Sequence, residues 1–149
     1  MTATEAKFEP ALSITEEIRV RASLETTFAA LIEQLGRGNT TPEGKPLALT
    51  IEAWPGGRWF RDLGDGNGHF WAVVQAIKRP TLLEFSGPLM MSAPVANNVQ
   101  YRLSHDKGVT VIQFRHTAFG PVPEGFGDRM PEGWGWIHSQ VQLRAEKAQ

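Results

Sequence analysis

The segment WGWIHSQVQLRAEKA, Trp134 to Ala148, places Trp134, Ile137, Val141, Ala145 and Ala148 on one stripe at helical spacing. Trp136 and Leu143 fall nearly opposite that stripe, where Trp136 is free to meet a second subunit. Gly133 and Gly135 each cost about 1 kcal/mol against Ala inside a helix, so the helix is predicted over 134–148 with a weak first turn. An amphipathic helix has to bury its stripe, and the residues before it supply the covering surface. They are short β-branched and aromatic runs punctuated by Gly and Pro. With Gly 15 and Pro 10 in 149 residues, these two make up about one residue in six, above the usual share, which implies many turns and many strands.

Working back toward the N-terminus, Phe119 to Gly133 holds seven Gly and Pro residues and is expected to be a long irregular loop. Val109 to Phe119 and Asn97 to Ser104 form a hairpin across Asp106-Lys107-Gly108. Thr81 to Gly87 and His69 to Lys78 read as strands. In the latter, either Phe70, Ala72 and Val74 or Trp71, Val73 and Ile77 face inward, because both faces are apolar. Leu47 to Trp54 and Arg58 to Leu63 pair around Pro55-Gly56-Gly57, and Gly36 to Pro46 is a loop. Leu24, Phe28, Leu31, Ile32 and Leu35 form the apolar face of a helix capped by Ser23 and stopped by Gly36. Leu12 to Arg21 alternates with period two, Glu16 being the one misfit on its apolar face.

The order strand, helix, about six strands, helix, with short turns between the strands, requires an antiparallel sheet. Its apolar face is covered by the last helix. The motifs Pro55-Gly56-Gly57-Arg58-Trp59, Ala72 to Pro80 (AVVQAIKRP), Leu83-Glu84-Phe85, Ile112-Gln113-Phe114-Arg115-His116 with Phe119, and Gly133-Trp134 occur in a recognisable order. They resemble those of bacterial single-domain proteins similar to the C-terminal domain of the activator of Hsp90 ATPase. That family lies in the START/Bet v 1-like (SRPBCC, helix-grip) superfamily, with lipid-transfer domains and polyketide cyclases. The resemblance runs from about Leu12 to Ala145. It implies an α+β helix-grip fold, a curved antiparallel sheet of about six to seven strands wrapped around a long C-terminal helix. Residues 1–11 are then a flexible N-terminal tail, and 12–149 a single domain of this type. Regulation of a chaperone depends in the namesake on a second domain and is not carried over. Two departures stand out: Gly36 to Pro46 is too rich in Gly, Thr and Pro for the short helices usual there, and Ala72 stands where Gly is common.

Composition sets outer bounds. Lys+Arg 15 against Asp+Glu 16 gives a formal charge of -1, without the basic excess of a nucleic-acid binder. No apolar run reaches the roughly 18–20 residues of a membrane span, and Met1 to Ala11 lack the apolar core of a signal peptide. Cys is 0, which removes disulfides, thiolate ligands and cysteine nucleophiles and fits a cytoplasmic address.

A sheet curved around a helix leaves room between them unless bulky side chains fill it. The residues expected around that cavity are Trp59, Trp71, Phe85, Tyr101, Phe114, His116, Trp134, Ile137 and His138. The five tryptophans, Trp54, Trp59, Trp71, Trp134 and Trp136, either line a pocket for a flat or greasy ligand or plug it as solid core. His116 shares a face with Ile112 and Phe114, so it is the candidate catalytic group, an acid or base on the cavity wall. As plain core, its ring would bond a carbonyl or carboxylate. His138 either faces His116 across the cavity or sits at a wet helix edge. Glu52 with the two histidines matches no compact ligand spacing, so neither a metal nor a cofactor is expected. Arg58, Arg61 and Asp62 either select an anionic ligand at the rim or are solvated edge charge. Pro88 to Met91 forms a pocket mouth or seals the core.

These features favour binding of a small hydrophobic or amphipathic molecule without catalysis, which requires a concave void of some 300 Å³ or more reached from the Gly/Pro loops. A cyclase-, dehydratase- or hydrolase-type enzyme using the same cavity is the alternative. A dimeric interaction or stress-response protein is another, with a homodimer as the partner state.

Overall fold

Residues 9–149 are described by the computed structural model. The chain order is β1 (Leu12–Val20), α1 (Leu24–Leu35), β2 (Thr50–Ile51), β3 (Arg58–Gly64), β4 (Asn67–Lys78), β5 (Leu82–Gly87), β6 (Ala96–Asp106), β7 (Val109–Phe119) and α2 (Phe126–Ala148). The strands make one curved antiparallel sheet, ordered β1-β7-β6-β5-β4-β3-β2, with α2 in its palm. Of the tail expected over 1–11, residues 1–8 lie outside the described residues. Ala11 N–H already donates to Ala118 O at 2.8 Å, one residue before β1 begins.

Alternation in β1 places Ile18 and Val20 in the core, and β1 pairs along its whole length with β7, Ile18 opposite Ile112. At Ser23 the hydroxyl accepts from Thr26 N at 3.1 Å, one of the orphan donors a helix start leaves open. Phe28, Leu31 and Leu35 of α1 are buried. Arg144 of α2 clamps the end of α1, donating to Gln34 Oε1 at 3.1 Å and to Gly38 O at 3.2 Å.

The open question of which β4 face points inward is resolved by a bulge. Phe60 pairs with Phe70 and Trp59 with Ala72, so Trp71 is an extra residue in β4. A bulge re-aims its side chains, and Trp71, Ala72 and Val74 are all buried while Phe70 and Val73 face solvent. Neither period-two set is followed, because the period is interrupted.

The start of α2 differs from the sequence expectation by eight residues: the helix begins at Phe126 and contains Pro131. Proline there lacks the N–H that would bond the Gly127 carbonyl, a cost of roughly 3 kcal/mol in a helix interior. Burial of Met130 and packing of Phe126 against the core offset it. The stripe is also rotated: Met130, Trp134, His138, Val141 and Ala145 are buried, whereas Ile137 is half-buried and Ala148 exposed. Trp136, expected to point away toward a partner, is half-buried and donates to Thr40 O at 3.1 Å.

Between β2 and β3, Gly57 is held so close to the Glu52 carbonyl that a Cβ would overlap it, whereas a Cβ on Gly56 (φ 84°) meets nothing within 4 Å. Gly57→Ala is therefore expected to lower the melting temperature by about 4–10 °C, the effect of roughly 2–3 kcal/mol in a domain of this size. Gly56→Ala, which carries only left-handed backbone strain of about 1 kcal/mol, should lower it distinctly less in parallel thermal melts.

Candidate functional site

Aromatic side chains fill most of the palm. Trp71 meets Trp59 edge-on with centroids 5.0 Å apart, and Trp59 meets Phe85 at 4.7 Å. Tyr101 contacts Phe114 at 5.1 Å, and Phe114 contacts Trp134 at 4.9 Å. Successive strands each contribute one ring, so the row crosses the sheet and ends on α2. Each such contact contributes about 0.5–1.5 kcal/mol beyond area burial.

Two hydrogen-bonded lines hold this row. In the first, Trp134 Nε1–H donates to His116 Nδ1 at 3.0 Å, and His116 Nε2 lies 2.7 Å from Asn97 Oδ1. An indole N–H is a donor only, so Nδ1 accepts, the proton resides on Nε2, and Nε2–H donates to Asn97. Asn97 Nδ2–H in turn donates to Pro88 O at 3.2 Å. In the second, Tyr101 O–H donates to His138 Nε2 at 2.9 Å, and His138 Nδ1–H donates to the Glu16 carboxylate. The misfit Glu16 on the apolar face of β1 thus has a partner on α2. His138 is 1% exposed, not at a wet helix edge, and its ring stacks on Trp134 at 11°.

Burial sets the protonation of these groups. It pushes His116 down to about 4. Burial likewise lowers His138, with the Glu16 carboxylate opposing the shift. Tyr101 is raised well above its ordinary value, first by burial and then by Glu16. Both imidazoles are neutral at pH 7, in the tautomers the hydrogen bonds require.

Open space lies at one end of the row. A pocket of about 220 Å³ is bounded by Leu35 of α1, Asn39 to Pro42 with Leu47 and Leu49 of the following loop, Trp59, Trp71 and Met90. Met130, Gly133, Trp134, Trp136 and Ile137 of α2 close it. Trp59, Trp71, Trp134 and Ile137 therefore stand on the wall. Phe85, Tyr101, Phe114, His116 and His138 stand behind it in packed core. The void falls short of the roughly 300 Å³ that the sequence reading requires, because those rings occupy the centre of the palm. Met90 borders the pocket while Leu89 and Met91 are buried, so the Pro88–Met91 segment both edges the opening and seals the core. A larger depression of about 410 Å³ beside α1 includes Glu33, Arg37 and Asp62 in its lining and lacks an aromatic wall.

Glu52, weighed as a metal ligand with the two histidines, is held by Arg58 through Nε at 2.9 Å and Nη2 at 3.1 Å. The guanidinium holds the Glu52 carboxyl below its usual range and lies 4.6 Å from the Phe60 centroid. Arg58 is thus engaged at the solvated sheet edge. The Trp71 bulge, the Glu16 partner and Trp136's place on the wall were missed from sequence. Only Glu16, a lone charge in an apolar alternation, left a signal there.

No family model and no curated protein matches the sequence. Solved structures do match. CalU16 from Micromonospora echinospora shares 16% identity over 89% of this chain and 75% of its own, with a TM-score of 0.64. The Aha1 dimer from Colwellia psychrerythraea shares 15% over 91% and 96%, at 0.64. Ara h 8.0201 shares 15% over 89% and 96%, at 0.62. The fold is the Bet v 1-like helix grip. At these identities the likeness is one of fold, in agreement with the helix-grip fold that the sequence motifs imply. Among the described residues no helix of this helix grip is long and apolar enough to cross a membrane.

The low value of His116 has a measurable consequence. An imidazole whose folded value lies below its unfolded value of 6.5 leaves the unfolded chain binding the extra proton first. Its contribution is complete above pH 6.5 and is lost as pH falls toward 4. In His116→Gln, the amide can still accept from Trp134 and donate to Asn97 but does not titrate. Wild type should therefore lose up to about 3 kcal/mol relative to this variant between pH 6.5 and 4 in urea unfolding curves. Parallel curves would contradict the assignment.

Proposed function

We propose that this protein binds a small hydrophobic or amphipathic molecule in the pocket between α2, the α1–β2 loop and the β3–β4 aromatic wall, and performs no chemistry on it. The observation that carries this reading is an apolar void bordered by four tryptophans and two methionines inside a helix-grip fold. Its 220 Å³ exceeds the roughly 150 Å³ of an engineered apolar cavity that takes up benzene. It lies below the roughly 300–1,000 Å³ of pockets for drug-sized molecules. That size suits one or two rings or a short alkyl chain, bound through apolar burial at about 25 cal/mol per Å².

The histidines are not placed to act on a molecule in the pocket. Both His116 nitrogens are engaged, by Trp134 and Asn97. Glu16, His138 and Tyr101 form a line that suggests proton transfer, but the Tyr101 hydroxyl at its inner end is engaged by His138 Nε2, and none of the three residues borders the pocket. A general base needs hydrogen-bond reach of its substrate, and neither histidine borders the void.

Gly133 provides the test. It borders the pocket, and a Cβ there meets no atom within 4 Å, so a larger side chain at the pocket edge has no clash at its root. Gly133→Leu is expected to keep or raise the melting temperature, since Gly costs about 1 kcal/mol in a helix. It should also weaken toluene binding at least tenfold, read from tryptophan emission. Native mass spectrometry of wild type is expected to show a co-purifying small molecule that the variant lacks. Undiminished toluene binding by a folded Gly133→Leu would remove the pocket from consideration.

A further inference from the structure

Each of the four indoles bordering the pocket has its one polar group engaged by its own chain. Trp59 Nε1–H donates to Leu35 O at 2.7 Å and Trp136 Nε1–H to Thr40 O at 3.1 Å. Trp71 and Trp134 donate to imidazoles, His69 Nδ1 and His116 Nδ1, each at 3.0 Å. The walls are left with π faces and carbon edges. Two buried side-chain polar atoms among the described residues lack a partner, Thr27 Oγ1 and Gln34 Nε2, and neither residue borders the void. The polar side chains on the lining are gathered at Asn39, Thr40 and Thr41. Asn39 Nδ2–H is engaged by Leu47 O, and Thr41 Oγ1 accepts from Lys45 N. The hydroxyl hydrogens of half-buried Thr40 and Thr41, with the second Nδ2 hydrogen of Asn39, are the side-chain donors this loop can offer.

The geometry points to a one-headed ligand: an uncharged molecule whose apolar end sits between Trp59 and Trp134 and whose single polar group rests at Thr40 and Thr41. Engagement of the indole N–H groups is then the specificity device. It denies a partner to any hydroxyl or amine carried to the inner end, and burying such a group unpaired weakens binding by about 5-fold to 100-fold. This inference rests on the pocket being the binding site. It also assigns His116 and His69 as positioning residues, which act on the ligand only through the tryptophans they hold. Replacing Trp134 by Phe removes the N–H and leaves His116 Nδ1 as an acceptor facing the widened void, where a ligand hydroxyl can donate to it.

The test is calorimetric titration of the full chain with 1-hexanol and with 1,6-hexanediol, which differ in having one polar end or two. Wild type is expected to bind hexanol at least tenfold more tightly than the diol. In Trp134→Phe the difference should shrink to about threefold or less. Trp71→Phe, which frees His69 Nδ1 nearer the surface and leaves the α2 anchor intact, should narrow it in the same direction. Equal binding of both probes by wild type, or an undiminished difference in both folded variants, overturns the inference and leaves the pocket standing. Failure of wild type to bind hexanol, or undiminished hexanol binding by Gly133→Leu, overturns the binding-site reading itself.

Discussion

The indole of Trp134 is the interaction on which the arrangement depends. Its N–H is fixed by His116 on β7, one face stacks on His138 of its own helix, and it packs at a tilt against Phe114. A single side chain thereby sets the depth and rotation of α2 in the palm of the sheet. On one side of that ring the space is solid core; on the other it is the pocket. A rotation of α2 by one residue would bring Ile137 to the centre, as the apolar pattern alone prefers, and would separate both histidines from their partners.

Buried polar groups are costly when unpaired and specifying when fully paired. Here the two histidine lines tie α2 to β1, β6 and β7 through Glu16, Tyr101, Asn97 and His116. An apolar interface tolerates sliding, but a chain of directional bonds accepts one register. The same bonds explain why neutral imidazoles are stable inside an aromatic row: each has a donor on one side and an acceptor on the other. They also keep polar atoms away from the void, so the pocket is greasy because the polar groups behind it satisfy one another.

Much of the fold was legible in the residues. The period of two in β1, the capped helix from Leu24 to Leu35 and the hairpin about Asp106-Lys107-Gly108 are local patterns, and local geometry enforces them. The beginning of α2 was not legible, since Pro131 and the surrounding glycines oppose helix intrinsically and only the burial of Met130 and Phe126 overrides them. Nor was the Trp71 bulge, because apolar residues on both faces of β4 leave the period undetermined. Of the expected cavity residues, Trp59, Trp71, Trp134 and Ile137 border the void. The remaining five are core, and nothing in their spacing distinguishes a ring that lines a space from one that fills it.

The sequence by itself determined that an antiparallel sheet closes over a terminal helix, because alternation, turn chemistry and helical spacing are properties of neighbours along the chain. Tertiary structure alone decided which face of α2 enters the palm and where the remaining room lies. Those depend on pairings such as Glu16 with His138 and Trp134 with His116, between residues far apart in the chain. Volume left unfilled is the difference between a sheet's curvature and the sum of the side chains beneath it, and it exists only once all of them are packed.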